Sequence, residues 1–160
     1  MYKNGFGFTD SEVNSFIERR HSPIHFAACM GHANILKEIY TNFGDAICET
    51  FPSCEGDSRT LLQAPDSVGD TPLHSACRRC NFSVVKCLVE EFSADSHAMN
   101  ASGLLPIHLA VAAGDVRTVK YFMEDNYARR VIFDQLDGRL GASLLHWACM
   151  NDRFFQKDWT

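Results

Sequence analysis

One short phrase recurs four times along this chain, and it limits the possible folds more than any other feature. The fullest copy is Thr71-Pro72-Leu73-His74-Ser75-Ala76-Cys77. A helix start is written into it. Thr71 is an N-cap residue, whose hydroxyl can accept a hydrogen bond from an unpaired amide of the first turn. Pro72 falls at the first helical position, where its missing N–H costs nothing. Leu73 and Ala76 are three apart and share a face. Ser22-Pro23-Ile24-His25-Phe26-Ala27-Ala28 precedes this copy, and Leu105-Pro106-Ile107-His108-Leu109-Ala110 and Ser143-Leu144-Leu145-His146-Trp147-Ala148 follow it. A phrase returning at such intervals marks a stack of small units rather than one irregular core.

The phrase histidines set the unit length. From His25 to His74 is 49 positions, from His74 to His108 is 34, and from His108 to His146 is 38. Each copy is followed by a turn and a second apolar segment, so each unit reads as helix–turn–helix. In the first unit the helices run from about Pro23 to Met30 and from Asn34 to Thr41, with Gly31 between them and Asn42-Phe43-Gly44-Asp45 as a turn. In the second they span about 72–79 and 82–91, and in the third about 106–113 and 116–124. The fourth opens with a helix over 144–150. The long first interval holds a loop insertion over about 44–65, and a second insertion covers about 127–137. Ahead of the stack, residues 9–20 read as a capping helix. Thr9 and Glu12 form a capping box there, and Val13, Phe16 and Ile17 share one face.

Composition enters mainly through what it excludes. The net charge of −5 argues against general nucleic-acid binding, which needs a basic face. No apolar run approaches the length of a membrane span, and Met1–Phe6 lacks the apolar core of a secretory signal. Seven cysteines with no secretory signal read as reduced thiols, which places the chain in the cytoplasm. The glycosylation triplets at Asn81 and Asn100 are then coincidental.

With four copies of the phrase, the chain resembles the ankyrin-repeat family, most closely over Asp66-x-x-Gly69-x-Thr71-Pro72-Leu73-His74-x-Ala76. The resemblance implies an all-α solenoid of about four helix–turn–helix units joined by hairpin loops, the last unit incomplete. An N-terminal segment over 1–20 precedes the repeat domain over 21–153. The units fall at about 21–43, 66–99, 100–126 and 138–153, and residues 154–160 form an atypical C-terminal edge. Three departures stand out. Leu105 replaces the hydroxyl residue of the phrase, Leu144 replaces its proline, and Cys80 stands where the neighbouring units have Gly31 and Gly114.

The chemistry-bearing residues weigh against catalysis, and no cofactor is expected. The histidines occupy the same slot in separate units, too far apart to share one tetrahedral ion. The resemblance makes them hydrogen-bonding ties between loops. Cys77 and Cys80 have metal-ligand spacing without a second pair. His146 and Cys149 lie one turn apart but lack an orienting residue and an oxyanion hole. What remains is a non-catalytic module that binds another protein through hairpin tips and the inner-helix face. The tips offer Val68, Asp70, Ser102, Leu104 and Leu140. The inner-helix ends offer Met30, Arg78, Arg79, Ala113 and Met150, with Trp147 as an aromatic anchor. A second reading makes the stack the targeting or regulatory region of a larger protein. Phe154, Phe155 and Trp159 form an aromatic edge, read either as the cut face of a longer array or as a self-association surface.

Overall fold

A computed structural model describes residues 22–50, 63–124, 143–144 and 146–149, with side chains described for all of these except 43–50. Six helices follow in order: α1 (Pro23–Met30), α2 (Ala33–Thr50), α3 (Pro72–Arg78), α4 (Phe82–Glu90), α5 (Pro106–Ala112) and α6 (Val116–Glu124). The backbone is helical again at residues 144 and 146–149. The described residues contain no strand.

Each of the first three units is a helix pair, and the pairs stack. Helix α3 packs against α1 on one side and α5 on the other, and these inner contacts are the most extensive. The outer helices α2, α4 and α6 also touch in order, more sparsely. The phrase explains the inner layer. Ile24, Leu73 and Ile107 occupy one slot and are all buried, and Ala27, Ala76 and Ala110 occupy another. The small alanines let neighbouring helices approach closely, while the large aliphatics fill the space between units. Leu36, Val84, Val85 and Leu88 extend the same core into the outer layer. Full burial of one such aliphatic side chain contributes about 2 kcal/mol.

The turns between paired helices share one geometry. Gly31, Cys80 and Gly114 all take left-handed backbone, at φ values of 78°, 57° and 73°. The amide after each one closes back onto the inner helix: His32 to the Ala27 carbonyl, Asn81 to Ala76 and Asp115 to Ala110, at 3.0–3.1 Å. This is the bond that satisfies an orphan carbonyl when a helix ends in a left-handed residue. Glycine takes that conformation freely, whereas a side chain there costs about 1 kcal/mol or more. Cys80 therefore bears the strain that its glycine counterparts avoid.

One expectation is corrected. The turn at Asn42–Asp45 is helical, because α2 continues to Thr50. Glycine inside a helix costs about 1 kcal/mol and does not forbid it. No proline follows until Pro52. The insertion therefore begins as helix rather than as loop. The N-terminal capping helix, the second insertion and the C-terminal aromatic edge lie outside the described residues. Among the described residues no helix is long and apolar enough to cross a membrane.

Candidate functional site: hairpins and inner-helix ends

The hairpins are built by Asp66 and Asn100, which hold the same place in successive units. Asp66 Oδ1 accepts the amides of Val68 (2.9 Å) and Asp70 (2.8 Å), while the Asp66 amide donates to the Asp70 carbonyl. Asn100 Oδ1 accepts the amides of Ser102 and Leu104, both at 2.9 Å. The two hairpins then join, with the Ala101 amide donating to the Val68 carbonyl at 3.2 Å. Gly69, at φ 79°, makes that approach possible. A Cβ there would sit 2.4 Å from the Ala101 amide nitrogen.

The phrase histidines tie each hairpin to the unit before it. His25 Nε2 donates to the Asp70 carbonyl at 2.9 Å, and His74 Nε2 donates to the Leu104 carbonyl at 2.9 Å. A carbonyl only accepts, so Nε2 carries the proton in both rings. The other nitrogen serves the ring's own helix. His74 Nδ1 accepts the Thr71 amide at 3.1 Å, and the Thr71 hydroxyl reaches the same atom at 2.8 Å. His25 Nδ1 meets the Ser22 hydroxyl at 2.8 Å. At Leu105, where the hydroxyl is missing, His108 Nδ1 still accepts the backbone amide at 3.1 Å. The imidazole thus closes the helix start even without a hydroxyl. Burial holds the His74 pKa below the ordinary histidine value, opposed by the Leu104 carbonyl and by Asp70.

Asp70 is a correction. Expected at an exposed tip, its side chain is enclosed, at 1% exposure. Asn100 Nδ2 donates to its Oδ1 at 2.7 Å, and Arg78 Nη2 donates to its Oδ2. A carboxylate taken out of water must be paired in this way. Its carbonyl receives His25, so Asp70 joins three successive units.

The other tip residues divide. Val68 is exposed, and Ser102 and Leu104 are half-buried. Along the inner layer, Met30 is half-buried at the end of α1, Arg78 and Arg79 are exposed at the end of α3, and Ala113 is half-buried just past α5. Phe26 lies 40% exposed one turn before Met30. Trp147 is half-buried and packs edge-on to His108, with ring centroids 6.4 Å apart. Leu140 and Met150 lie outside the described residues.

Asn81 is a residue that sequence reasoning missed. Its Nδ2 donates to the carbonyls of Ala28 and Cys29, both at 2.8 Å, and so fastens the end of α1 to the second unit. Its place immediately after Cys80, matching His32 and Asp115, was the available signal. Both triplet asparagines are therefore committed inside the fold, Asn81 to α1 and Asn100 to the hairpins.

Burial favours the protonated form at four of the thiols, Cys29 among them. Burial pushes the pKa of Cys77 well up, and raises those of Cys80 and Cys87 as well. Cys80 Sγ makes a weak bond to the Ala113 carbonyl at 3.5 Å. Among the described residues, no three His, Cys, Asp or Glu side chains converge as metal ligands would. His146 Nδ1 is engaged by the amide (3.1 Å) and hydroxyl (2.7 Å) of Ser143, which commits that nitrogen to the helix start.

A family model described as ankyrin repeats in three copies matches residues 4–98 and again residues 41–134. Together these matches span most of the chain, and the protein belongs to the ankyrin-repeat family. No curated protein matches it. Ankyrin repeats are in general protein–protein interaction modules and are typically non-catalytic.

Proposed function

We propose that this protein binds another protein through its hairpins and the ends of its inner helices. The observation that supports this most directly is the hydrogen bonding between units. Histidine, aspartate and asparagine side chains fix the hairpins internally, while Val68, Phe26, Arg78 and Arg79 stay exposed beside them. A surface ordered before contact loses little conformational freedom on binding, which favours affinity. The same surface serves whether the stack acts alone or as the targeting region of a larger protein. Trp147 extends the surface into the fourth unit, and Leu140 and Met150 are its proposed continuation.

The test is site-specific photo-crosslinking in cells. A photoreactive residue at Val68 or Met30 should give discrete partner adducts, and one at Ser83 on the outer helix α4 should not. Equal labelling from both sides, or adducts from Ser83 alone, would refute the assignment.

A further inference from the structure

We infer that residues 9–20 of this chain dock on the open face of the first unit, along Ile35, Glu38 and Ile39 of α2. The repeat itself identifies that face. Counted from the left-handed residue of each turn, Ile35, Val84 and Thr118 hold one position, and Ile39, Leu88 and Phe122 hold another. Val84 and Thr118 are fully buried, whereas Ile35 is 48% exposed. Leu88 and Phe122 are buried, whereas Ile39 is half-buried.

Neighbouring positions show which way this side of the helix turns. Tyr121, the counterpart of Glu38, packs edge-on to Phe82 with ring centroids 5.8 Å apart, and its hydroxyl donates to Glu90 at 3.4 Å. Glu91, the counterpart of Asn42, meets Lys37 at 2.6 Å. Both reach back to the outer helix of the preceding unit. The inner layer agrees at the position just after each phrase histidine. Trp147 packs on His108 there, and Ser75 meets the thiol of Cys29, each in the unit before. Phe26 holds the same position in α1 and borders the open face. In the first unit this side therefore turns toward the chain that precedes α1.

The occupant follows from the path of that chain. Helix α1 begins at Pro23, three residues after Arg20. Three residues span at most about 11 Å, close to the spacing of packed helices. A helix over 9–20 is thus held beside the first unit. It carries Val13, Phe16 and Ile17 on one face, to meet Ile35 and Ile39. Arg19 and Arg20 at its end complement Glu38, a carboxylate at a position that Cys87 fills in the second unit. The ankyrin match begins at residue 4 and so takes in this segment. A second copy is at a disadvantage, because a segment on so short a tether acts at an effective concentration on the order of millimolar. Docked there, the segment closes the stack's first interface and leaves the hairpins to the partner.

The experiment places p-benzoylphenylalanine in place of Ile35 in the full 160-residue chain, and irradiates the dilute purified protein. Digestion and mass spectrometry then locate the adduct. It should fall within residues 9–20 and stay on the monomer in a denaturing gel. The same group at Ser83 should not reach that segment. An adduct to a second copy, an adduct to residues 51–62 after α2, or none within 9–20 would overturn the inference. Hydrogen exchange gives a second reading without the bulky label. Ile17→Asp should speed exchange in α1 and α2 about tenfold, and Ile17→Ala less, with α6 little changed. The milder Ile17→Ala carries this reading if Ile17→Asp unfolds. Exchange in Ile17→Ala that matches wild type, or rises equally across all six helices, would overturn the inference as well.

Discussion

Asn81→Asp swaps one amide for a carboxylate of almost the same shape, and so isolates what the amide donor contributes. In the native chain Nδ2 gives two hydrogen bonds, each 2.8 Å, to the carbonyls of Ala28 and Cys29. Each such bond is worth about 1 kcal/mol net, so Asn81→Ala should cost about 2 kcal/mol. Aspartate loses the same two bonds and turns a negative charge toward two carbonyl oxygens at a helix C-terminus, which adds about 1 kcal/mol. The predicted order is wild type, then Ala, then Asp, with Asp about 3 kcal/mol below wild type. Urea unfolding followed by circular dichroism measures it. Two carbonyls facing the new carboxylate raise its folded pKa above the unfolded value. The deficit of Asn81→Asp relative to wild type should therefore shrink as the pH falls and that group is protonated. Equal stabilities for Ala and Asp, or a loss under about 0.5 kcal/mol for both, would refute the claim that Asn81 fastens α1.

Three further outcomes can be checked by the same unfolding measurements. Gly69→Ala should cost about 3 kcal/mol, because the added Cβ meets the Ala101 amide and must part the two hairpins, breaking their bond at 3.2 Å. A loss below about 1 kcal/mol would show that the hairpins are not joined there. Arg78→Ala should cost about 2 kcal/mol by leaving the buried Asp70 carboxylate short of a partner, and adding Asp70→Asn should restore much of it. Strict additivity of the two changes would argue against the pair. For pH, His74 has a folded pKa below its unfolded value, so its contribution is present above the ordinary histidine range and is lost as the pH falls through that range toward the folded pKa. The urea midpoint should drop between about pH 7.5 and pH 5.5, more steeply for wild type than for His74→Ala; a midpoint that holds steady or rises would contradict it.

The architecture was legible because the phrase encodes its own geometry. Proline after a capping position starts α1, α3 and α5, and the slot that aligns Cys80 with Gly31 and Gly114 is left-handed in all three. The histidine ties were also legible, through the family resemblance, which implies hydrogen bonds between adjacent loops at that slot. The position of Asp70 was legible and its direction was not. Membership in a hairpin does not say whether a carboxylate points to water or to an arginine eight residues further on. The continuation of α2 was hidden for a different reason. Asn42-Phe43-Gly44 is compatible with a turn, but a glycine costs a helix only about 1 kcal/mol, and α2 runs on through it. Asn81 escaped notice because its partners lie more than fifty residues earlier in the chain.

Asp70 takes one bond from the unit before it, one from its own unit and one from the unit after it. The hairpin of the second unit, which holds Asp70, therefore cannot open while its neighbours stay closed without severing bonds on both sides. In hydrogen exchange, the amide of Asp70 should behave as part of a cooperative block spanning three units rather than as a surface loop. A loop that exchanges on the timescale of its whole neighbourhood is one a partner finds already in place.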